Sequence, residues 1–224
     1  MLPMLTIKDL SVSFAGKPLL KNINLSISDG ARHLLSGHNG SGKTSLAKAI
    51  AGDADYHIDN GQILFDGTDI TNLPTADRAR LGIFFGLQHV PEIPGLSITS
   101  FLKHSMMSHD PNLTAGTFFN KLTNARTYLN IPENWLGRSL NVGFSGGEKK
   151  KIMFLHMLLA RPRLAILDEP DSGVDADTQK LFASLINELN QNKTTFLIIS
   201  HQEGFTKLIN PTATTVLSNG NIVI

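Results

Sequence analysis

Gly37-His38-Asn39-Gly40-Ser41-Gly42-Lys43-Thr44 fits the spacing G-x-x-x-x-G-K-[ST], and that spacing dictates the local fold around it. Glycines there let backbone N–H groups curl around phosphate oxygens, while the following helix turns its positive end toward them. The segment must therefore join a strand to a helix. Residues 32–36 read as that strand and residues 44–51 as that helix, which argues against an ordinary glycine turn. In this frame Lys43 reaches the β- and γ-phosphates of a nucleotide and Thr44 places its hydroxyl on Mg²⁺. Gly37, His38, Asn39, Gly40, Ser41 and Gly42 form the cradle.

Residues 6–12 and 23–27 alternate apolar and polar side chains, reading as short strands around a Gly16-Lys17-Pro18 turn. Residues 61–70 alternate again across Asp66-Gly67, an antiparallel hairpin signal. From 90 to 160 the strand pattern gives way to helices separated by prolines and glycines. Strongly apolar strands return at 164–167 and 195–200 with a helix over 178–190 between them. This order implies a parallel α/β core, residues 1–88 and 161–224, with a helical lobe inserted at 89–160.

Leu164-Ala165-Ile166-Leu167-Asp168-Glu169 is an apolar strand ending in two carboxylates, and open α/β sheets bind ligands at such carboxyl ends. Asp168 is expected to orient Mg²⁺ through water, and Glu169 to act as the base that polarises an attacking water. Asp171, Asp175 and Asp177 continue the acidic run but do not fit D-x-[DN]-x-[DN]-G, which disfavours a calcium loop. Gln88 ends the apolar stretch 81–87 and His201 follows the strand 195–200, so both should converge on the nucleotide. Phe14 is open to two readings, adenine stacking or the apolar core.

Ser145-Gly146-Gly147-Glu148 also fits two readings. As S-x-x-E it is a capping box; as a glycine pair at a helix start it lets phosphate approach backbone N–H groups. Lys149, Lys150 and Lys151 follow in the first helical turn, where cations oppose the macrodipole and so point to an anion or carboxylate partner.

Composition narrows the function classes. At 224 residues and 41% apolar the chain can bury a sizeable core. Twenty basic against nineteen acidic residues give a net charge of +1, which argues against nucleic-acid binding driven by a positive field. There is no cysteine, so disulfides and thiolate ligation are excluded. The start, from Met1 to Lys8, has no secretory pattern, and the apolar tract 152–160, with His156 inside it, is too short to span a bilayer. A soluble, cytoplasmic protein without direct membrane insertion is expected.

Taken in order, these segments resemble an ABC-type ATPase: Walker A at 37–44, Q-loop at Gln88, signature at 144–148, Walker B at 164–169, D-loop at 172–175 and switch histidine at His201. The stretch 139–150, ending Phe144-Ser145-Gly146-Gly147-Glu148-Lys149-Lys150, is similar to the SufC-type ATPases of the SUF iron–sulfur cluster assembly system. Transporter subunits usually carry Leu-Ser-Gly-Gly-Gln there. Asp171 after Asp168-Glu169-Pro170, Gly82-Ile83-Phe84, and Glu92-Ile93-Pro94-Gly95 strengthen the likeness. Three features depart from it: Gln88-His89-Val90-Pro91-Glu92 where Gln-Tyr-Pro-x-Glu is usual, Lys151-Ile152 in place of Arg-Asn, and an end at Ile224 without the common C-terminal extension.

The resemblance implies a RecA-like parallel sheet with an N-terminal antiparallel β subdomain and an inserted helical subdomain. It implies ATP and Mg²⁺, the latter contacted by Thr44, Gln88 and Asp168, with Lys43, Gln88, Glu169 and His201 serving hydrolysis. It further implies ATP-dependent homodimerisation, Ser145, Gly146 and Gly147 completing the site of the opposite copy. The partners would be SufB- and SufD-like scaffold proteins, which must supply any thiolate this chain lacks. The alternative is the ATP-binding subunit of a membrane ABC transporter; a DNA-repair ATPase is disfavoured because no long coiled-coil insertion fits. Scaffold docking is expected on 91–95, where Ile93 is either an exposed anchor or packed into its own lobe. A resting brake is also expected, with Lys150 holding Glu169 and Asp171 holding His201.

Overall fold

A computed structural model describes residues 3–88 and 90–223; His89, one of the departures after Gln88, lies outside them, as do Met1, Leu2 and Ile224. Strands β1 (Leu5–Phe14), β2 (Lys17–Ile27) and β3 (Arg32–Ser36) lead to helix α1 (Lys43–Ala51), then β4 (Tyr56–Phe65), β5 (Thr68–Asp69), α2 (Thr75–Arg80) and β6 (Ile83–Gly86). Next come β7 (Ile93–Ser97), α3 (Ile98–His109), α4 (Ala115–Tyr128), a 3-10 turn (Glu133–Trp135), β8 (Ser139–Leu140) and α5 (Gly146–Ala160). The chain continues with β9 (Leu164–Asp168), α6 (Ala176–Gln191), β10 (Thr195–Ile199), α7 (Glu203–Ile209), β11 (Ala213–Ser218) and β12 (Asn221–Ile222).

The strands form an antiparallel sheet, β2-β1-β4-β5, and a sheet ordered β12-β11-β3-β10-β9-β6 whose β11, β3, β10, β9 and β6 run parallel. Every residue of β9 and β10 is buried, because both faces of this sheet are covered. Ala165, Leu167, Phe196 and Ile198 face one cluster with α5 and α6, in which Phe154 stacks on Phe182 at 3.8 Å. Leu164, Ile166, Leu197 and Ile199 face the other, with Leu46 and Ile50 of α1 and the antiparallel sheet. The first cluster runs on without a break into α3 and α4.

Two expectations need correction. The β1–β2 turn is made by Ala15 and Gly16, at φ 47 and 74, and Lys17 and Pro18 already belong to β2. Two consecutive left-handed residues match the twist of the strands they join, so the turn falls there. The segment from 90 to 160 is not wholly helical: β7 pairs antiparallel with β8, Ile93 opposite Leu140 and Ser97 opposite Ser139. Pro94 and Gly95 hide the alternation of β7 in the sequence. Among the described residues no helix is long and apolar enough to cross a membrane.

Candidate nucleotide site

Sheet register assembles the site. Ile199 lies opposite both Leu35 and Asp168, and Gly86 opposite Leu167, so the carboxyl ends of β3, β10, β9 and β6 reach one edge together. Each chemistry-bearing segment begins there: the glycine loop after β3, Asp168 and Glu169 at the end of β9, Gln88 after β6, and His201 after β10.

The glycine loop needs its glycines. Gly37 has φ 140 and a Cβ there would lie 2.1 Å from the Leu217 carbonyl oxygen; at Gly42, φ 108, it would meet Leu20 at 2.7 Å. Lys43, 6% exposed, folds back and donates to the carbonyls of Gly37 at 2.8 Å and His38 at 2.9 Å. Burial lowers its pKa, and the carboxylates of Glu169 and Asp168 oppose that shift. Asn39 and Gly40 are exposed at the tip, while the buried Ser41 hydroxyl has no hydrogen-bond partner among the described residues.

Asp168 is 3% exposed, and among the described residues neither of its carboxylate oxygens has a close hydrogen-bond partner. Burial raises its pKa, opposed by the nearby Thr44 hydroxyl. An unpartnered buried carboxylate beside a hydroxyl at the edge of a phosphate loop fits a hard divalent cation. Glu169 adopts φ 49, a strained conformation for a residue with a Cβ, and its N–H donates to the Ile199 carbonyl at 2.9 Å. That backbone turns its carboxylate between Gln88, whose Nε2 donates to Oε2 at 2.7 Å, and His201, whose Nε2 lies 3.9 Å from Oε1. Three residues singled out separately in the sequence thus meet on one carboxylate.

Ser145 caps α5 with both halves of the capping box formed: its hydroxyl accepts from the Glu148 N–H, and Glu148 accepts from the Ser145 N–H at 2.7 Å. Gly146 has open space where a Cβ would project and no positive φ, so packing within this chain does not require glycine there. Among the described residues no hydrogen bond joins Ser145, Gly146 or Gly147 to the glycine loop.

Lys150 and Asp171 do not make the side-chain contacts expected of the brake. Lys149 pairs with Glu92 at 2.7 Å. Lys150, 5% exposed, donates to the backbone carbonyl of Glu169 at 2.6 Å and to the carbonyl and hydroxyl of Ser172, leaving the Glu169 carboxylate to Gln88. Asp171 accepts from the Ser200 hydroxyl at 2.7 Å rather than holding His201. The φ of Glu169 presents its carbonyl to α5 and sends its side chain elsewhere, which a sequence does not disclose. Ser200 is invisible to sequence reasoning, since a serine at a strand end carries no signal of its own. Phe14 is 42% exposed and tilts against Tyr56 at 5.1 Å, so it is not a core residue. Ile93 is 39% exposed and lines a cavity of about 240 Å³ with Leu87, Leu140 and Met153.

Comparison with known proteins agrees with this geometry. Residues 20–172 match the family described as ABC transporter. The chain is 41% identical to the probable ATP-dependent transporter SufC of Escherichia coli, covering 98% of this chain and 91% of that protein. It is 40% identical to the probable ATP-dependent transporter ycf16 of Antithamnion sp., over 98% and 90%. A dimeric ATP-binding cassette in a post-hydrolysis state with ADP and Pi shares the fold, with a TM-score of 0.86 at 19% identity over 99% of this chain and 97% of that one. A nucleotide-free cassette from an ABC transporter superposes with a TM-score of 0.80 at 23% identity, over 100% and 90%. Glycine loop, paired carboxylates, sheet order and these likenesses agree: the chain is an ATPase belonging to the ABC transporter family.

Proposed function

We propose that the chain hydrolyses MgATP in sites shared between two copies, and that closing them reshapes a SufB- or SufD-like scaffold in the cytoplasm during iron–sulfur cluster assembly. The observation that carries the first half is the unpartnered carboxylate of Asp168 beside Lys43, Thr44 and Glu169. Residues 37–44 hold the phosphates, with Lys43 leaving its own loop carbonyls for the ligand. Thr44, Asp168 and Gln88 are the residues that would hold Mg²⁺, whose charge offsets that of the β- and γ-phosphates. Glu169 accepts the proton of the attacking water, and Gln88 and His201 keep its carboxylate aimed. Residues 89–160 act as a lobe that carries Ser145, Gly146 and Gly147 to the nucleotide of the opposite copy; the free space at Gly146 supports that reading.

Sharing of sites is tested by dilution. Activity per chain should rise with concentration below the dimerisation midpoint, and constant specific activity at every dilution would leave a self-sufficient monomer. The scaffold reading rests on the likeness to SufC-type sequences and on half-exposed Ile93 beside an apolar cavity. Glu92→Lys with Ile93→Ser should keep ATP binding and lose copurification with such a scaffold. Undiminished recovery of scaffold, or recovery of a membrane permease instead, would overturn it.

A further inference from the structure

The turn that delivers the signature serine is held by its backbone and by side chains together. Asn141 and Gly143 both lie in the left-handed region, at φ 63 and 68. The main-chain bonds within the turn are long, Val142 N–H to Ser139 at 3.2 Å and Phe144 N–H to Asn141 at 3.4 Å. Side chains add to these bonds, beginning with buried Asn141, whose Nδ2 donates to the Pro91 carbonyl at 2.8 Å. Arg138 is exposed, yet its Nη2 donates to the carbonyls of both Val142 and Gly143 at 3.3 Å. Its guanidinium lies 3.6 Å from the centroid of the Phe144 ring. Trp135 packs edge-on against the same ring at 4.9 Å, so Phe144, 5% exposed, is held between the two.

The base of this clamp is anchored as well. The Arg138 N–H donates to Trp135 at 2.9 Å, and its carbonyl accepts from Ile98 at the start of α3 at 3.0 Å. Glu148, the nearby carboxylate, is occupied by the capping box, so the guanidinium serves the turn. A planar guanidinium can lie flat on the Phe144 ring while one of its nitrogens bridges two carbonyls, a combination that a lysine ammonium does not reproduce.

We propose that Arg138 is a positioning residue: it fixes the turn 141–144 and so aims the Ser145 hydroxyl and the N–H groups of Gly146 and Gly147 at the nucleotide held by the second copy. The proposal rests on the shared-site reading above. Its consequence is a defect in trans. Removing the clamp from one copy impairs hydrolysis of the ATP bound by the other.

The test mixes a Lys43→Ala copy, which keeps an intact signature, with a Gly146→Asp copy, which keeps an intact phosphate loop. Each homodimer is inactive, and the heterodimer retains one working site. Arg138→Met is then added to one copy or the other. In the Lys43→Ala copy it should lower the heterodimer's kcat by about tenfold, the scale of a small misplacement at a reacting centre. In the Gly146→Asp copy it falls on a signature already disabled and should change little. Arg138→Lys in the Lys43→Ala copy should behave as Met does. Equal losses in both arms mean a general folding defect and overturn the proposal, as does full activity with either Met or Lys in the Lys43→Ala copy. An inactive starting mixture in which the ATP-bound heterodimer is shown to form would instead overturn the shared-site reading and this proposal with it.

Discussion

The Nε2 of Gln88 donates to Oε2 of Glu169 at 2.7 Å, joining the end of β6 to the end of β9 through the carboxylate proposed to take a proton from water. Glu169→Gln keeps the size of the side chain and removes its basicity. MgATP binding should persist while turnover falls by roughly two to four orders of magnitude, as measured by phosphate release beside a nucleotide-binding titration. Near-normal turnover would place the base elsewhere.

Asp168 makes a separable prediction, because among the described residues neither carboxylate oxygen has a close hydrogen-bond partner and burial outweighs the nearby Thr44 and Lys43 in raising its pKa. Burial of an unpaired carboxylate costs stability until a cation arrives. Asp168→Asn should therefore stabilise the nucleotide-free protein by about 1–2 kcal/mol and at the same time abolish Mg²⁺-dependent hydrolysis. Thermal melting at neutral pH without nucleotide, compared with activity, checks both halves. A variant that melts lower than the parent would mean that the carboxylate is stabilised by contacts within the chain.

Lys150 contacts the backbone of Glu169 and not its carboxylate, so the outcome expected of its removal is the reverse of that expected of a brake. Its ammonium group holds the backbone of Glu169 and Ser172 from α5. Lys150→Met would take that donor from the Ser172 carbonyl and hydroxyl and leave the Glu169 carbonyl only the longer bonds from the Ser172 hydroxyl at 3.2 Å and N–H at 3.3 Å. A loss of about 1–3 kcal/mol in stability is expected, and ATPase activity should fall rather than rise. Elevated basal hydrolysis in this variant would reinstate the brake.

What the sequence discloses follows from how local each signal is. The glycine loop, β3 and α1 are specified within 20 residues, as are the apolar run and paired carboxylates of β9, and the structure places them as read. The pairing of β7 with β8 is hidden because Pro94 and Gly95 interrupt its alternation and its partner strand lies more than 40 residues away. The contacts of Lys150 are hidden for another reason. Charge alone suggests a carboxylate, whereas the left-handed backbone of Glu169 turns a carbonyl toward α5. Arg138 gives no signal, since a stack on Phe144 six residues away depends on a turn whose shape is visible only in three dimensions.

His156 makes the protein acid-sensitive in a way that the ATP site does not. It is half-buried in α5 between Phe84 and Phe101, with Nε2 2.7 Å from the Ser105 hydroxyl, and desolvation there lowers its pKa from 6.5 to about 4. The folded state thus binds this proton more weakly than the unfolded state, so protonation favours unfolding. Stability from this group is complete above pH 6.5 and is lost progressively as pH falls toward 4. The full loss is about 3 kcal/mol, since each tenfold weakening of proton binding in the folded state costs about 1.4 kcal/mol. His156→Gln retains a partner for Ser105 without a group that titrates in this window. Urea unfolding at pH 7, 6, 5 and 4 should show a flatter decline for His156→Gln than for the parent. Parallel declines would mean that other groups set the acid limit.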